Sequence, residues 1–476
     1  MIKLPLFFLI LLVSLVNPFK TIHTVVLTED GFKPERLVVN PGDSVIFKTD
    51  LNKPFWPASD SHPTHTIYSE FDPKKQIDPD SSWKFTFNKE GRWNFHDHLS
   101  PLNVGAIIVR PDGYAGELET SIENCKKAHS ADCWSELLKR TAGEKGVSEA
   151  FNVFTEAFNT DSTFAENCHD YTHILGQEAY LNFYKNKDFP VTDQLAYCSY
   201  GFFHGFIEAM VQKEGNLLRA RNMCDYIDKR LAEKTSTIGA CLHGIGHGVT
   251  DGSDASAYGD PSKLTAPGLK LCESIAKDEY EDKICATGVF NALAIMYVKG
   301  KFGLTPDEKD PYAICRAQSR SAYKHACYDD FKILILKIKN NNFIEAAKYI
   351  EEIEDDKMAQ GAIDNLATYY VYSLLKEPAY EKPIKECYQL SLRLHKDCIA
   401  GLGAGFMIAG TPGTEYKRAL ELCSNPMLKT PDMEGCYDRV IRLIKLRYNK
   451  GKYVDICKTV PAEFQNYCDF YLKAKE

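Results

Sequence analysis

Sixteen cysteines, and the rhythm in which they fall, constrain this 476-residue chain more than any other feature; none precedes Cys125. Aligned on Cys198, Cys241, Cys285 and Cys398, the sequence gives CSYG, CLHG, CATG and CIAG, each with Gly three residues on. Cys168, Cys327, Cys436 and Cys468 open further apolar helical runs. Met358, with Gly361 three residues later, takes the same place in one unit that lacks cysteine. A period near 40 residues with helical patterning predicts stacked helical hairpins, a solenoid or curved bundle. The partner cysteines lie 11 to 17 residues before their mates, which predicts the hairpin staples 224–241, 272–285, 315–327, 387–398, 423–436 and 457–468. By exclusion, 125–133 and 168–198 complete the set. Each staple is worth roughly 3 kcal/mol in the chain-entropy picture. An even number of cysteines with no C-x-x-C spacing suits disulfides in an oxidising compartment better than metal thiolates.

The rest of the chain supports export. Residues 1–20, MIKLPLFFLILLVSLVNPFK, carry one early Lys and an apolar run from Leu4 to Val16. That run is short of the ~20 residues a membrane span needs, so it reads as a signal peptide, or as a retained N-terminal anchor where cleavage fails. No other stretch is apolar enough to span, and the expected location is periplasmic, cell-surface or secreted. Residues 21–112 read as strands: TVVLTED, RLVVNPGDSVIFKT, SWKFTFNKEGRWNFH and VGAIIV are short runs broken by Gly, Pro, Asn and Asp. Turn-rich residues 113–118 form a linker, and 119–476 are helical. With 57 Lys and Arg against 65 Asp and Glu, the net charge of −8 excludes nucleic acid as the main partner. GLGAGFMIAGTPG at 401–413 follows no strand, so its glycines read as close helix packing and not as a nucleotide loop.

Within the β region, GFKPERLVVNPGDSVIFKTD, SHPTHTIY and GRWNFHDHLSPLNVGAIIV resemble the cupredoxin family. The resemblance implies a Greek-key sandwich with a copper site at one end, and places His65 where the family has its first copper ligand. Where the family has its remaining Cys, His and Met, this chain has Asp97, Ser100 and Asn103. A blue type 1 centre needs the thiolate. His62, His65, His96 and His98 are expected to form a different site, since imidazoles converging at one end of a sandwich suit Cu(II) or Zn(II).

A second set of histidines sits on three consecutive repeats, CHDYTHILGQEAY, CSYGFFHGFIEAM and CLHGIGHGV. His169 and His173, His204 and Glu208, and His243 and His247 are each four residues apart, which puts each pair on one helix face. H-E-x-x-H helices offer two ligands to one metal in this way. Positions equivalent to His204 and His247 in later repeats hold Asn291, Asp364 and Ala404, so the repeat's packing does not need imidazole. The motif set resembles a group of exported bacterial helical proteins. The two-part plan is similar to imelysin-type iron-uptake proteins, although their G-x-H-x-x-E spacing differs from His204-x-x-x-Glu208 here.

These readings predict a multidomain protein, an all-β cupredoxin-like sandwich followed by an all-α disulfide-stapled repeat. The leading expectation is an exported copper-binding protein for metal handling or redox, holding the ion through His62, His65, His96 and His98. The second is a metal-dependent enzyme centred on the helical cluster with zinc or iron, in which Glu208 is a ligand or a general base. The third is a metal-free scaffold that offers a repeat face to a protein partner.

Overall fold

The computed structural model describes residues 20–59, 65, 68–109, 121–128, 131–186, 193–214, 216–231, 237–250, 255–375, 379–411 and 413–473. The expected signal peptide, His62 and the 113–118 linker lie outside the described residues.

The N-terminal strands are β1 (Ile22–Thr28), β2 (Gly31–Lys33), β3 (Arg36–Val39), β4 (Ser44–Thr49), β5 (Pro57–Ser59), β6 (Trp83–Thr86), β7 (Gly91–Asp97) and β8 (Ser100–Val109). They form two four-stranded sheets, β2-β1-β4-β6 and β3-β8-β7-β5. Strand β1 runs parallel to β4, and β3 parallel to β8; the remaining neighbours are antiparallel. Period-2 patterning turns Val25 and Leu27 of β1, and Val45 and Phe47 of β4, into the space between the sheets, where all four are fully buried. Phe71 and Phe95 meet Phe47 there at 5.3 Å between centroids.

From Ile122 onward every described element is helical. All sixteen cysteines are paired, in the six pairs read from spacing and the two assigned by exclusion. Most pairs tie a short outer helix to the longer inner helix that follows, as Cys272 in Pro261–Ile275 is tied to Cys285 in Glu279–Lys299. Inner helices pack consecutively, and glycines set how closely. A Cβ on Gly205 would lie 2.0 Å from the His173 carbonyl oxygen, and one on Gly246 would lie 2.0 Å from that of Cys285. The 401–405 glycines do the same work: a Cβ on Gly401 would stand 2.3 Å from the Asp364 carbonyl oxygen, inside the Leu392–Ala409 helix.

The repeat departs from an open solenoid in one respect. It curls until the Leu392–Ala409 helix packs against the Tyr197–Glu214 helix, with the Arg447 guanidinium 5.8 Å above the Tyr200 ring. The concave face therefore encloses a cavity of about 1710 Å³, lined by residues from Phe158 to Tyr471. The β sandwich keeps its own aromatic core, but Trp56 and Ala58 at its β5 end are buried within the helical core.

Candidate metal centres

The β-region histidines meet where the two halves touch. His96 is the last but one residue of β7, where the pairing with β8 slips between His96 and Asp97, and His98 follows two residues on. His65 is held at φ 51, a left-handed conformation that a side-chain-bearing residue rarely adopts without function. All three imidazoles are buried. Their potential ligand atoms lie within 4.8 Å of one another, so the triad could hold a metal ion. His65 Nε2 stands 3.1 Å from His98 Nδ1, and His65 Nδ1 stands 2.8 Å from Asp72 Oδ2. Trp56 stacks on His98 with centroids 4.5 Å apart and donates its indole N–H to Asp72 Oδ1.

Two members of this site carry no local sequence signal. Asp72 orients His65, and Lys301 arrives from the helical half with its ammonium 3.1 Å from His65 Nδ1 and 3.7 Å from Asp72 Oδ2. Burial alone would raise the Asp72 carboxyl, but His65, Lys301 and Lys74 hold it well below the carboxylate range. Burial, then the Lys301 charge, pushes His65 well down, and burial brings Lys301 itself down to about 7. Asp97 is not aimed into the triad through Oδ1, which accepts from the backbone N–H of Trp56 and Leu99. Burial raises it to about 6.

The second set assembles as its spacing predicts. His169 and His173 on Cys168–Asn186, His204 and Glu208 on Tyr197–Glu214, and His243 and His247 on Ile238–Gly248 converge from three adjacent inner helices. Ring centroids are 4.9 Å apart for His169–His173, 5.2 Å for His173–His204, 4.9 Å for His204–His243 and 5.5 Å for His243–His247. His169, His173 and His204 bring potential ligand atoms within 4.8 Å of one another. The five imidazoles line the cavity; Glu208, 1% exposed, lies behind them.

Hydrogen bonding fixes which nitrogens carry protons. His169 Nδ1 faces the Cys198 carbonyl oxygen at 2.7 Å and must donate, leaving Nε2 as a bare acceptor. His243 Nδ1 faces Thr287 Oγ1 at 2.7 Å; that hydroxyl already donates to the Ile284 carbonyl, so Nδ1 again donates. His247 Nε2 meets Asn291 Oδ1 at 2.7 Å, with the Asn291 amide oriented by Asp330. Carbonyl, hydroxyl and amide partners of this kind orient ligating imidazoles. Thr287 and Asn291 each lie 44 residues beyond the histidine they hold, one repeat further along.

Glu208 Oε1 is 3.4 Å from His247 Nδ1, and Oε2 is 3.7 Å from His173 Nδ1. All four atoms are buried and make no hydrogen bond among the described residues. His173 Nε2 also faces His169 Nε2 at 3.2 Å, so one proton on neutral His173 cannot serve both sides. Burial pushes Glu208 up, but His173 and His247 override it and leave the carboxyl ionised. Burial would lower His247, and the Glu208 charge raises it instead. Burial, reinforced by neighbouring imidazoles, depresses His204 strongly and takes His169 to about 4; burial takes His243 to about 3. Glu208 and His247 can hold one another's charge, and the same set of imidazole nitrogens around a carboxylate suits a bound cation.

No protein-family model matches the chain, and no curated protein sequence matches it. Among solved structures the β region is weakly similar to a purple cupredoxin from Nitrosopumilus maritimus, at 17% identity over 18% of this chain and 99% of that one, TM-score 0.17. It is similar in the same degree to an oxidised amicyanin mutant, at 18% identity over 18% and 81% of the two chains, TM-score 0.17. A mutant fern plastocyanin gives 21% identity over 18% and 99%, TM-score 0.16. All three similarities are confined to the N-terminal β region.

Proposed function

We propose that this is an exported metalloprotein whose principal metal centre is the helical cluster His169, His173, His204, Glu208, His243 and His247, acting as a metal-dependent enzyme centre on the cavity wall. The observation that carries the reading is Glu208: a buried, ionised carboxylate that makes no hydrogen bond among the described residues and has the Nδ1 atoms of His247 and His173 at 3.4 and 3.7 Å. Unpaired, such a group would be strongly destabilising. Its place behind the imidazoles favours a ligand over a general base that reaches substrate. The nitrogen-rich donor set fits copper, zinc or iron, and a metal bound there would supply Lewis-acid or redox chemistry to whatever enters the cavity. Eight disulfides suit an oxidising, extracytoplasmic setting, and among the described residues no helix is long and apolar enough to cross a membrane.

A second reading, copper handling at the β site, is favoured by the 4.8 Å convergence of His65, His96 and His98. The buried Lys301 ammonium opposes a cation there, which is why the helical centre ranks first. In both readings, residues 21–112 and 119–476 are the two working units.

Metal stoichiometry and copper EPR on the full chain test the ranking. His204→Gln with Glu208→Gln should remove most bound metal, while His96→Gln with His98→Gln should spare it. The reverse pattern would move the function to the β site. Metal content unchanged in both double variants would leave a disulfide-stapled scaffold.

A further inference from the structure

The cavity lining carries a charge that the metal reading does not use. The cavity is lined by eight Lys and Arg side chains against five Asp and no Glu among the described residues. The lining is therefore net positive in a chain whose formal charge is −8. Three of the cations are neutralised locally: Lys283 by Asp329, Lys332 by Asp330 and Arg439 by Asp364. Of the other five, Lys445 is engaged elsewhere, while Lys299, Lys337, Arg418 and Arg442 make no ion pair with any described carboxylate; Arg418 lies 5.2 Å over the Phe406 ring with its buried Nε lacking a hydrogen-bond partner, and Asp170 and Asp397 are the remaining acids of the lining. Lys299 is held below its ordinary value by burial, then by the Lys74 charge and more weakly by Lys337, against Asp170 and Asp72, which raise it.

We infer that the cavity binds a small dianionic substrate, held by the unpaired cations Lys299, Lys337, Arg418 and Arg442 and presented to the histidine wall. This deepens the metal-centre reading and rests on it for the chemistry, though not for the binding. Unpaired like charges around a concavity focus the field on anions and relieve their own repulsion when one enters. Arg adds a planar fork that matches carboxylate or phosphate oxygens. A neutral or cationic substrate would leave this wall uncompensated. At about 1710 Å³ the cavity exceeds the usual small-ligand pocket, so the anion enters with its water or as part of a larger molecule.

The test is calorimetric titration of the full-length protein, metal-stripped and metal-loaded, with inorganic phosphate and with malonate at constant ionic strength. At least one dianion should bind to both forms; the stronger of the two separates phosphate-like from dicarboxylate chemistry. Lys337→Gln with Arg442→Gln removes two exposed cations, so folding should survive, as a thermal scan would verify. Affinity should fall at least tenfold with metal content unchanged. Absence of binding by either dianion would overturn the proposal, as would unchanged affinity in the double variant. Binding confined to the metal-loaded form would also overturn it, because the anion would then be a ligand of the metal. If the protein holds no metal yet binds the dianion through these cations, the metal reading fails and this one stands.

Discussion

Replacing Gly205 by Ala tests how the helical centre is built, because two known effects act on it with opposite sign. Inside an exposed helix, Gly to Ala gains about 1 kcal/mol. Gly205, however, sits where a Cβ would lie 2.0 Å from the His173 carbonyl oxygen, with the His173 Cα at 2.9 Å. A contact that close forces the Tyr197–Glu214 and Cys168–Asn186 helices apart by on the order of 1 Å, because the obstacle is backbone and cannot rotate away. Overpacking of this kind costs typically 1–3 kcal/mol and occasionally more. Steric cost should win, with a net loss of about 2 kcal/mol and a melting temperature lower by about 3 °C for a helical unit of this size. The same displacement separates His173 from Glu208, so metal content should fall at least tenfold. Gly143 supplies the control: it is exposed in the Ala131–Lys145 helix and a Cβ there meets nothing within 4 Å. Gly143→Ala should stabilise by up to about 1 kcal/mol and leave metal unchanged. Both variants are read by denaturant unfolding with disulfides intact and by metal analysis. A Gly205→Ala protein as stable as the parent and fully loaded would refute the idea that glycine contact sets the site's geometry.

Lys301→Met keeps the packing bulk and removes the ammonium 3.1 Å from His65 Nδ1, so copper affinity at the β triad should rise at least tenfold in a competitive chelator titration. A fall in affinity would show that Lys301 supports the ion and does not oppose it. The metal-free protein should lose stability toward acid. His169 and His243 drop to about 4 and 3 when folded, so the unfolded state binds more protons below its own value near 6.5. Their contribution is complete above pH 6.5 and is lost as pH falls through 4; His247, raised by Glu208, has the opposite sign but is outnumbered. Denaturation midpoints that rise on acidification would contradict this. Changing Cys315 and Cys327 together to Ala should cost about 3 kcal/mol, because the pair closes a short hairpin between two buried residues. An unchanged unfolding midpoint would show that packing alone holds that repeat.

Much of this was legible because local chemistry repeats along the chain. Cysteine spacing gave six of the eight disulfides, and exclusion the other two, since a hairpin can close only between segments that already lie side by side. The i, i+4 histidine pairs gave the helical cluster for the same reason: a helix face is a property of sequence spacing. What spacing could not supply was contact across the fold. Lys301 meets His65 236 residues away, and its own neighbours, Gly300 and Phe302, look like an ordinary helix end. Ring closure rests on Arg447 meeting Tyr200 and on small per-repeat rotations that accumulate, neither of which has a motif. Thr287 and Asn291 stood in register with His243 and His247 one repeat earlier. The alignment reached Asn291 but took it only as the loss of an imidazole, and it passed over Thr287.

The helix Glu279–Lys299 has a consequence for how either centre can be measured. Asn291 on its inner face holds His247 of the helical cluster, and Lys301, just past its end, reaches His65 of the β triad. The anchoring residues are ten apart, which at 1.5 Å per residue is about 15 Å along one stiff element. Trp56 is also buried in the helical core, with Phe302 at 5.2 Å, so the β triad is completed by the helical half. A β fragment expressed alone would expose His65 without Lys301 and Trp56 without Phe302. Its three imidazoles would then offer a more open, less positively opposed site. Copper found on such a fragment would describe the fragment, and assigning metal to either centre requires point variants in the intact chain.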